Sequence, residues 1–429
     1  MKPNKDLAPR IISALLCATL LLSFCGCQST GLPSLDEGIE PTDSSLPDED
    51  SAPADSTEDT PADSDTSAVF VSADSFEKAL PSPETFGLTE NTLKNHHYYQ
   101  LTEDEQTLYI AILDSWTNND DIFSVQNVDS DLFREHFPHV VDAVYHDRPE
   151  CFRFTRGYKL KSTIYKGDNN DTVTVTWYKD FYRNVPLIVE SKLDDAISEI
   201  LAAASEGADD YERVRIVHDC LVDRISYDYS SLSDGGELTQ WRNTVYSALV
   251  EGSAVCGGYA RAFQLILNRL GIPCTIVSGF GEKEYHAWSL ATLDGENYLF
   301  DVTWDDPKDA PTYKYFALTT EEMQKNHTPN TDFSYPTCTA TACNYYVREG
   351  LLLETYSLDE ADRIISDQNT GAAAAVLKFN SRAEFDRAVK DLITDKNWSK
   401  LDALKGVSNL KYSRDEENLI LTLYFQTSD

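Results

Sequence analysis

Apolar side chains are distributed along this 429-residue chain in three regimes. Residues Ile11 to Leu22 form an almost unbroken apolar run behind Lys2, Lys5 and Arg10. Residues 28–68 are polar, with twelve acidic groups, five prolines and no Lys or Arg among Ser, Thr and Ala. From about residue 70 the apolar positions become periodic, the pattern a packed fold requires.

Within that periodic part the spacing predicts particular elements. Leu101-Thr102-Glu-Asp-Glu105 reads as a capping box opening a helix through Trp116. Residues 152–165 and 171–185 alternate as strands around a hairpin signal at Gly167-Asp-Asn-Asn170. Helices are predicted over 191–204 and from Asp209–Glu212 to about Val222, the second with Val214, Val217 and Leu221 on one stripe. From Cys256 to Leu270 apolar residues recur at 259, 262/263, 266/267 and 270, one helical face, ended by Gly271 and Pro273. Strands follow at Cys274–Phe280, His286–Leu293 and Tyr298–Trp304, the last two joined at Asp294-Gly295. The tail reads as strands near 345–354, 374–379 and 418–425, with helices at 382–394 and 397–405. No internal repeat is visible.

The first two regimes set an address. Twelve apolar-rich residues are too few to span a ~30 Å hydrocarbon core but suit the centre of a signal peptide. Phe24-Cys25-Gly26-Cys27 resembles the bacterial lipobox, with Phe24 where Leu is usual. The expectation is a signal peptide over 1–26, cleaved to leave Cys27 as a diacylated N-terminus, since two chains anchor stably where one does not. Residues 27–72 would then be a disordered acidic tether, because one-signed charge without apolar surface cannot offset ordering entropy. Behind it the expected division is an α+β region over 73–190, a core over 191–330 and a small α+β domain over 340–429.

Charge narrows the partners. With 36 Lys+Arg against 72 Asp+Glu the net charge is −36. Nucleic acid is excluded as a partner, because phosphate binding needs clustered cations. Membrane contact is expected only through the lipid anchor, on the outer face of the cytoplasmic membrane. Past Cys27 the cysteines are Cys151, Cys220, Cys256, Cys274, Cys338 and Cys343. Cys338 and Cys343 are near enough in sequence to bridge, although spacing leaves the pairing open.

One of these thiols stands in a chemical context. A nucleophilic thiol needs a stabilised anion, a base within reach and a group that holds the base. Cys256 sits where a helix begins, so orphan N–H groups favour its anion and a developing oxyanion. Gly257 and Gly258 clear side chains from the approach of a carbonyl. In the hairpin about Asp294-Gly295, opposite residues have an odd index sum and share a face. Trp288 then lies opposite Asp301, and His286 is its diagonal neighbour, ~7–8 Å away, a gap the two side chains can close.

Ala254-Val-Cys256-Gly-Gly-Tyr-Ala260, His286-Ala-Trp288 and Asp301-Val-Thr-Trp304 together resemble the core of the transglutaminase-like superfamily. The resemblance is specific over about 210–307, and weaker over 90–190, where Asp147-Arg-Pro-Glu150 is similar to the N-terminal part of exported members. It implies an α+β papain-like fold in which a helix bearing Cys256 packs on an antiparallel sheet bearing His286 and Asp301. It also implies Cys256 as nucleophile, His286 as base and acid, and Asp301 as the group that orients it. Many members have Asn where Ser289 follows the Trp here. Tyr246 matches an aromatic ten residues before the Cys and has two readings, a cleft hydroxyl or a core ring. Trp241 or Gln240 are further candidates for a side-chain oxyanion donor. Trp288 and Trp304 are assigned to the walls of the site.

Elsewhere, His218-Asp219-Cys220 is no metal pair, since adjacent helical residues point apart. His96-His97 and His136-x-x-His139 lack partners at ligand spacing. No cofactor and no metal are expected. The expected function is an enzyme acting on protein or peptide substrates at the cell surface, by cross-linking, deamidation or proteolysis. The competing reading is a binding module of the envelope that keeps the fold without the chemistry.

Overall fold

The capping box at Thr102 starts the first long helix: its hydroxyl accepts from the Glu105 N–H while the Glu105 carboxylate accepts from the Thr102 N–H. In this computed structural model the described residues are 70–154, 157–163, 171–177, 188–233, 237–307, 312–368 and 374–427. The expected signal peptide, the lipidated Cys27 and nearly all of the expected tether lie outside them, as does the Gly167–Asn170 hairpin. Phe70 and Val71, at the end of the expected tether, are instead buried, and the Phe70 ring stacks on His136 at 4.6 Å.

The N-terminal part contains α1 (Glu103–Thr117), β1 (Ile122–Val128), α2 (Ser130–Asp147), β2 (Tyr158–Thr163) and β3 (Asp171–Trp177). Its sheet runs β1-β3-β2, all antiparallel. Val173, Val175 and Trp177 turn one face of β3 inward onto Phe133, Phe137 and Val144 of α2 and Trp116 of α1. The Asp147-Arg148 pair at the end of α2 is structural. Asp147 accepts from the His97 N–H and ring, the Tyr98 N–H and the Tyr109 hydroxyl, and Arg148 donates to Tyr109 and Asn95.

The central part runs through α3 (Ile188–Ala204), α4 (Asp210–Arg224), β4 (Ser226–Tyr227), α5 (Glu237–Arg242), β5 (Ser253–Ala254) and α6 (Cys256–Arg269). Then come β6 (Cys274–Gly281), β7 (Glu284–Leu293), β8 (Glu296–Phe300), the short α7 (Thr320–Met323) and β9 (His327–Pro329). The sheet order is β8-β7-β6-β9, antiparallel throughout. Tyr259, Ala262, Phe263, Ile266 and Leu267, the stripe read from the sequence, are the buried face of α6, packed with Val214, Val217 and Leu221 of α4 and Phe300 of β8. Each large side chain so buried contributes roughly 1.5–3 kcal/mol. Truncating Phe263 at the centre of this layer costs about 3–5 kcal/mol.

The third expected strand of this sheet is shorter than its pattern. β8 stops at Phe300, because the Asp301 carboxylate accepts from the N–H groups of Thr303 and Trp304 and turns the chain. An apolar run says nothing about such a side-chain turn.

The C-terminal part differs more. The strand expected over 345–354 is α8 (Tyr345–Arg348), a Gly350 turn at φ 68° and the two-residue β10 (Leu352–Leu353). Helix α9 (Leu358–Gln368) was not expected: its stripe is only Leu358, Ala361, Ile364 and Ile365 in an acidic segment. β11 (Ala374–Phe379) and α10 (Arg382–Ala388) follow the pattern, whereas 397–405 holds two 3-10 turns. β12 (Val407–Asp415) was missed because it is an edge strand with few buried positions. It pairs with β13 (Ile420–Thr427) in a sheet ordered β10-β11-β13-β12 around its own apolar cluster. All six described cysteines are free thiols, Cys338 and Cys343 included.

Candidate active site

Val255, in extended conformation, is the cap of α6, so Cys256 is its first residue and stands at the positive end of the helix. Cys256 is half-buried, above Ala260, Ile276 and Ala287. The β7–β8 register ends with Ser289 opposite Phe300, which leaves Asp301 just past the paired segment on the side of His286. His286 Nε2 donates to Asp301 Oδ2 at 2.7 Å, and the Cys256 side chain lies near enough to the same imidazole to influence it. Since Nε2 is engaged by the carboxylate, Nδ1 is the nitrogen left for sulfur. Cys256, His286 and Asp301 are thus brought together.

Burial alone would push the His286 imidazole down. The charge and hydrogen bond of Asp301, with the influence of nearby Cys256, outweigh it and raise it to about 10. Asp301 is buried, which by itself raises a carboxyl, yet the His286 and His327 rings hold it well below the usual carboxylate range. This is the arrangement of a carboxylate that stays ionised and keeps an imidazole protonated.

The glycines after the cysteine also have a packing task. A Cβ on Gly257 would lie 2.0 Å from the Asn243 side-chain oxygen, and one on Gly258 would lie 2.5 Å from the Arg242 carbonyl. They admit the 242–244 segment against the start of α6, where the Val255 N–H donates to the Arg242 carbonyl. Gly281 clears room on the other side, since a Cβ there would meet Trp304 at 2.8 Å and the His286 ring at 3.1 Å.

The remaining candidates separate. Trp241 is buried and its indole N–H donates to Glu251 at 2.9 Å, so that donor is committed away from the thiol. Tyr246 is buried and packs on Phe152 and Trp241, the core reading of this residue. Gln240 is exposed. Trp288 and Trp304 flank the His286 ring at 6.2 and 5.3 Å, and Ser289 is buried in the sheet. His218 bonds Asp305 and Asp219, holding the loop after Asp301. At the rim, Tyr229, Phe280 and Tyr285 are exposed, and burial followed by the Cys256 charge pushes the Tyr227 hydroxyl up.

Sequence reasoning missed Asn243 and His327. No periodicity or motif marks either one; His327 lies on a three-residue strand, 26 positions beyond the aspartate it touches.

Residues 200–301, which carry the thiol, imidazole and carboxylate, match the model of the Transglutaminase-like superfamily. Among curated proteins the chain is similar to the Kyphoscoliosis peptidase of Mus musculus, 28% identical over 147 residues, which are 31% of this chain and 21% of the relative. The Kyphoscoliosis peptidase of Homo sapiens is 28% identical over 128 residues, 27% of this chain and 18% of the relative. The chain therefore spans about a fifth of the length of the curated relatives it matches. Among solved structures it resembles a TGase at 16% identity and a TM-score of 0.27, over 37% of this chain and 46% of the other. A candidate cysteine protease from Cytophaga hutchinsonii is similar at 12% identity and a TM-score of 0.24, over 44% and 69%.

Proposed function

We propose that this chain is a cysteine enzyme of transglutaminase type, exported and lipid-anchored through Cys27, acting on protein or peptide amides at the cell surface. One observation carries the chemistry: His286 is hydrogen-bonded to Asp301 at 2.7 Å, and the Cys256 side chain is near enough to the same ring to help raise it. The anchor and the location rest on residues 1–27 of the sequence.

In this reading His286 already holds the proton given up by Cys256, and the sulfur attacks the amide carbonyl carbon. N–H groups at the start of α6 then receive the oxyanion. The C–N bond breaks as His286 passes the proton to the departing amine, leaving a thioester on Cys256. A second nucleophile then loses its proton to His286, attacks the thioester and frees the thiol. An amine acceptor gives a cross-link; water gives deamidation or peptide cleavage.

The test begins with a thiol-directed electrophile such as iodoacetamide at neutral pH. Cys256 should react many-fold faster than a free thiol, and a rate no greater would overturn the proposal. Incubation with a glutamine-containing protein and a fluorescent primary amine then separates the outcomes: label incorporation marks transfer, whereas ammonia release or shortened chains mark hydrolysis.

A further inference from the structure

Chemistry at Cys256 needs one imidazole on the Asp301 carboxylate, and the structure supplies two. Asp301 Oδ2 lies 2.7 Å from His286 Nε2 and 3.0 Å from His327 Nε2. His286 comes from β7, Asp301 from the turn after β8 and His327 from β9, yet their ligand atoms all lie within 4.8 Å of one another. Among the described residues no other three His, Cys, Asp or Glu side chains converge in this way. His327 also lies beyond the segment that matches the family model.

We propose that His286, Asp301 and His327 form a zinc-binding site whose occupation takes the base away from Cys256. The inference rests on the reading of Cys256 and His286 as the reacting pair. Two imidazole nitrogens and one carboxylate oxygen are a donor set that suits zinc, whereas magnesium and calcium take oxygen ligands. Tetrahedral zinc with bonds of about 2.0–2.1 Å holds its ligand atoms roughly 3.3 Å apart. The two contacts on Asp301 Oδ2 therefore need to open by about half an ångström to admit the ion. Water takes the fourth position.

Each ligand is held from outside the group, as metal ligands are. Asp301 Oδ1 accepts the N–H groups of Thr303 and Trp304, which leaves Oδ2 for the cation. His327 Nδ1 lies 2.7 Å from Asn326 Oδ1, and the Asn326 amide nitrogen donates to the Tyr315 hydroxyl at 2.8 Å. The rings of Trp304, Trp288 and Tyr315 stand 4.4, 4.9 and 5.5 Å from that of His327 and wall it off from solvent. His286 keeps the most exposed side chain of the three, 7% against 1% for Asp301 and 0% for His327, so the cation enters past its ring.

Binding has a chemical consequence. Both Nε2 atoms must offer a lone pair, so the Nε2 protons now directed at Asp301 leave to solvent. Each ring then carries its proton on Nδ1. With Nε2 on the metal and Nδ1 protonated, His286 has no lone pair left to hold the proton of Cys256. The zinc form is the inactive form.

The test uses the full chain, freed of metal by chelation, as wild type, His327→Gln, Asn326→Ala and Cys256→Ser. Equilibrium binding of Zn2+ and the visible spectrum of Co2+ are measured beside iodoacetamide alkylation, followed at Cys256 by mass spectrometry. Wild type should bind zinc, and saturating zinc should slow Cys256 alkylation about tenfold or more, reversibly with EDTA. Binding should weaken about a hundredfold in His327→Gln and about tenfold in Asn326→Ala. Cys256→Ser should bind as wild type does, with a Co2+ spectrum that lacks a thiolate band. No binding to wild type, wild-type binding in folded His327→Gln, or binding lost in Cys256→Ser would each overturn the inference. If His327→Gln does not fold, Asn326→Ala and the Co2+ spectrum decide. Zinc binding that needs His327, beside a metal-free Cys256 that reacts like a free thiol, would leave the ligands as assigned and sink the catalytic reading. Zinc that binds and leaves a reactive Cys256 unslowed would overturn the inference and leave the catalytic reading standing.

Discussion

Gly279 of β6 and Thr328 of β9 approach so closely that a Cβ on Gly279 would lie 2.1 Å from the Thr328 carbonyl oxygen. The strand that carries His327 can therefore join the sheet only because position 279 has no side chain. Gly279→Ala must push β9 away, at a cost of about 1–3 kcal/mol as for overpacking elsewhere. A thermal melt should show a lower Tm, and alkylation of Cys256 should slow as Asp301 loses its second partner. An unchanged melt would mean that the strand yields freely.

Asp301 orients His286 through a single short bond at 2.7 Å. Asp301→Asn presents an amide that can stabilise the wrong tautomer of the ring while leaving the packing nearly intact. Turnover should fall about a thousandfold or more, in line with the same exchange in other acid–base triads. The measurement is amide turnover alongside a circular dichroism spectrum. A folded Asp301→Asn variant with near wild-type turnover would show that the carboxylate is not needed.

The pH dependence follows from the same pair. His286 is raised to about 10, so the imidazolium that protonates the leaving amine persists through neutral pH and is lost on approach to 10. An unfolded histidine titrates near 6.5, so the stabilising effect is complete below that value and is lost as pH rises from 6.5 through about 10. Asp301 has the opposite sign: its contribution is present above 3.8 and lost as pH falls through its lower folded value. Urea unfolding of wild type and His286→Gln across pH 6 to 10 should show the wild-type advantage shrinking as pH rises. A constant difference would contradict the assignment.

The contact between Gly257 and Asn243 gives a pairwise test. Gly257→Ala places a methyl 2.0 Å from the Asn243 oxygen, whereas Asn243→Ala removes that atom. Gly257→Ala alone should lower both stability and Cys256 reactivity, and the double variant should recover much of each. The coupling measured by a double-mutant cycle should reach about 1 kcal/mol or more. Additive effects would show that the start of α6 relaxes without help from residue 243.

These features were unequally legible in the sequence. The α6 stripe and the β7–β8 register follow from local spacing, so the meeting of Cys256, His286 and Asp301 could be reasoned out before any coordinates. The end of β8 could not, because a carboxylate bonding its own backbone ends the strand within an apolar run. At Gly257 the sequence suggested room for a carbonyl and could not show Asn243, whose oxygen comes from 14 residues upstream. His327 and Asn243 reach the site through tertiary packing alone, and α9 and β12 bury too few side chains to print a period.

Asp147 shows what tertiary satisfaction adds to a motif noted in the sequence only for its resemblance to exported family members. It is buried and accepts the His97 N–H at 3.2 Å, the His97 ring at 2.8 Å, the Tyr98 N–H at 2.9 Å and the Tyr109 hydroxyl at 3.3 Å. Asp147→Ala would leave buried donors without an acceptor, each costing about 1–3 kcal/mol. Urea unfolding should register a loss of about 3 kcal/mol or more. Cys256 alkylation, measured well below the melting temperature, should keep its wild-type rate, since none of these partners touches the thiol. A selective loss of Cys256 reactivity without loss of stability would reverse the assignment and make Asp147 part of the chemistry.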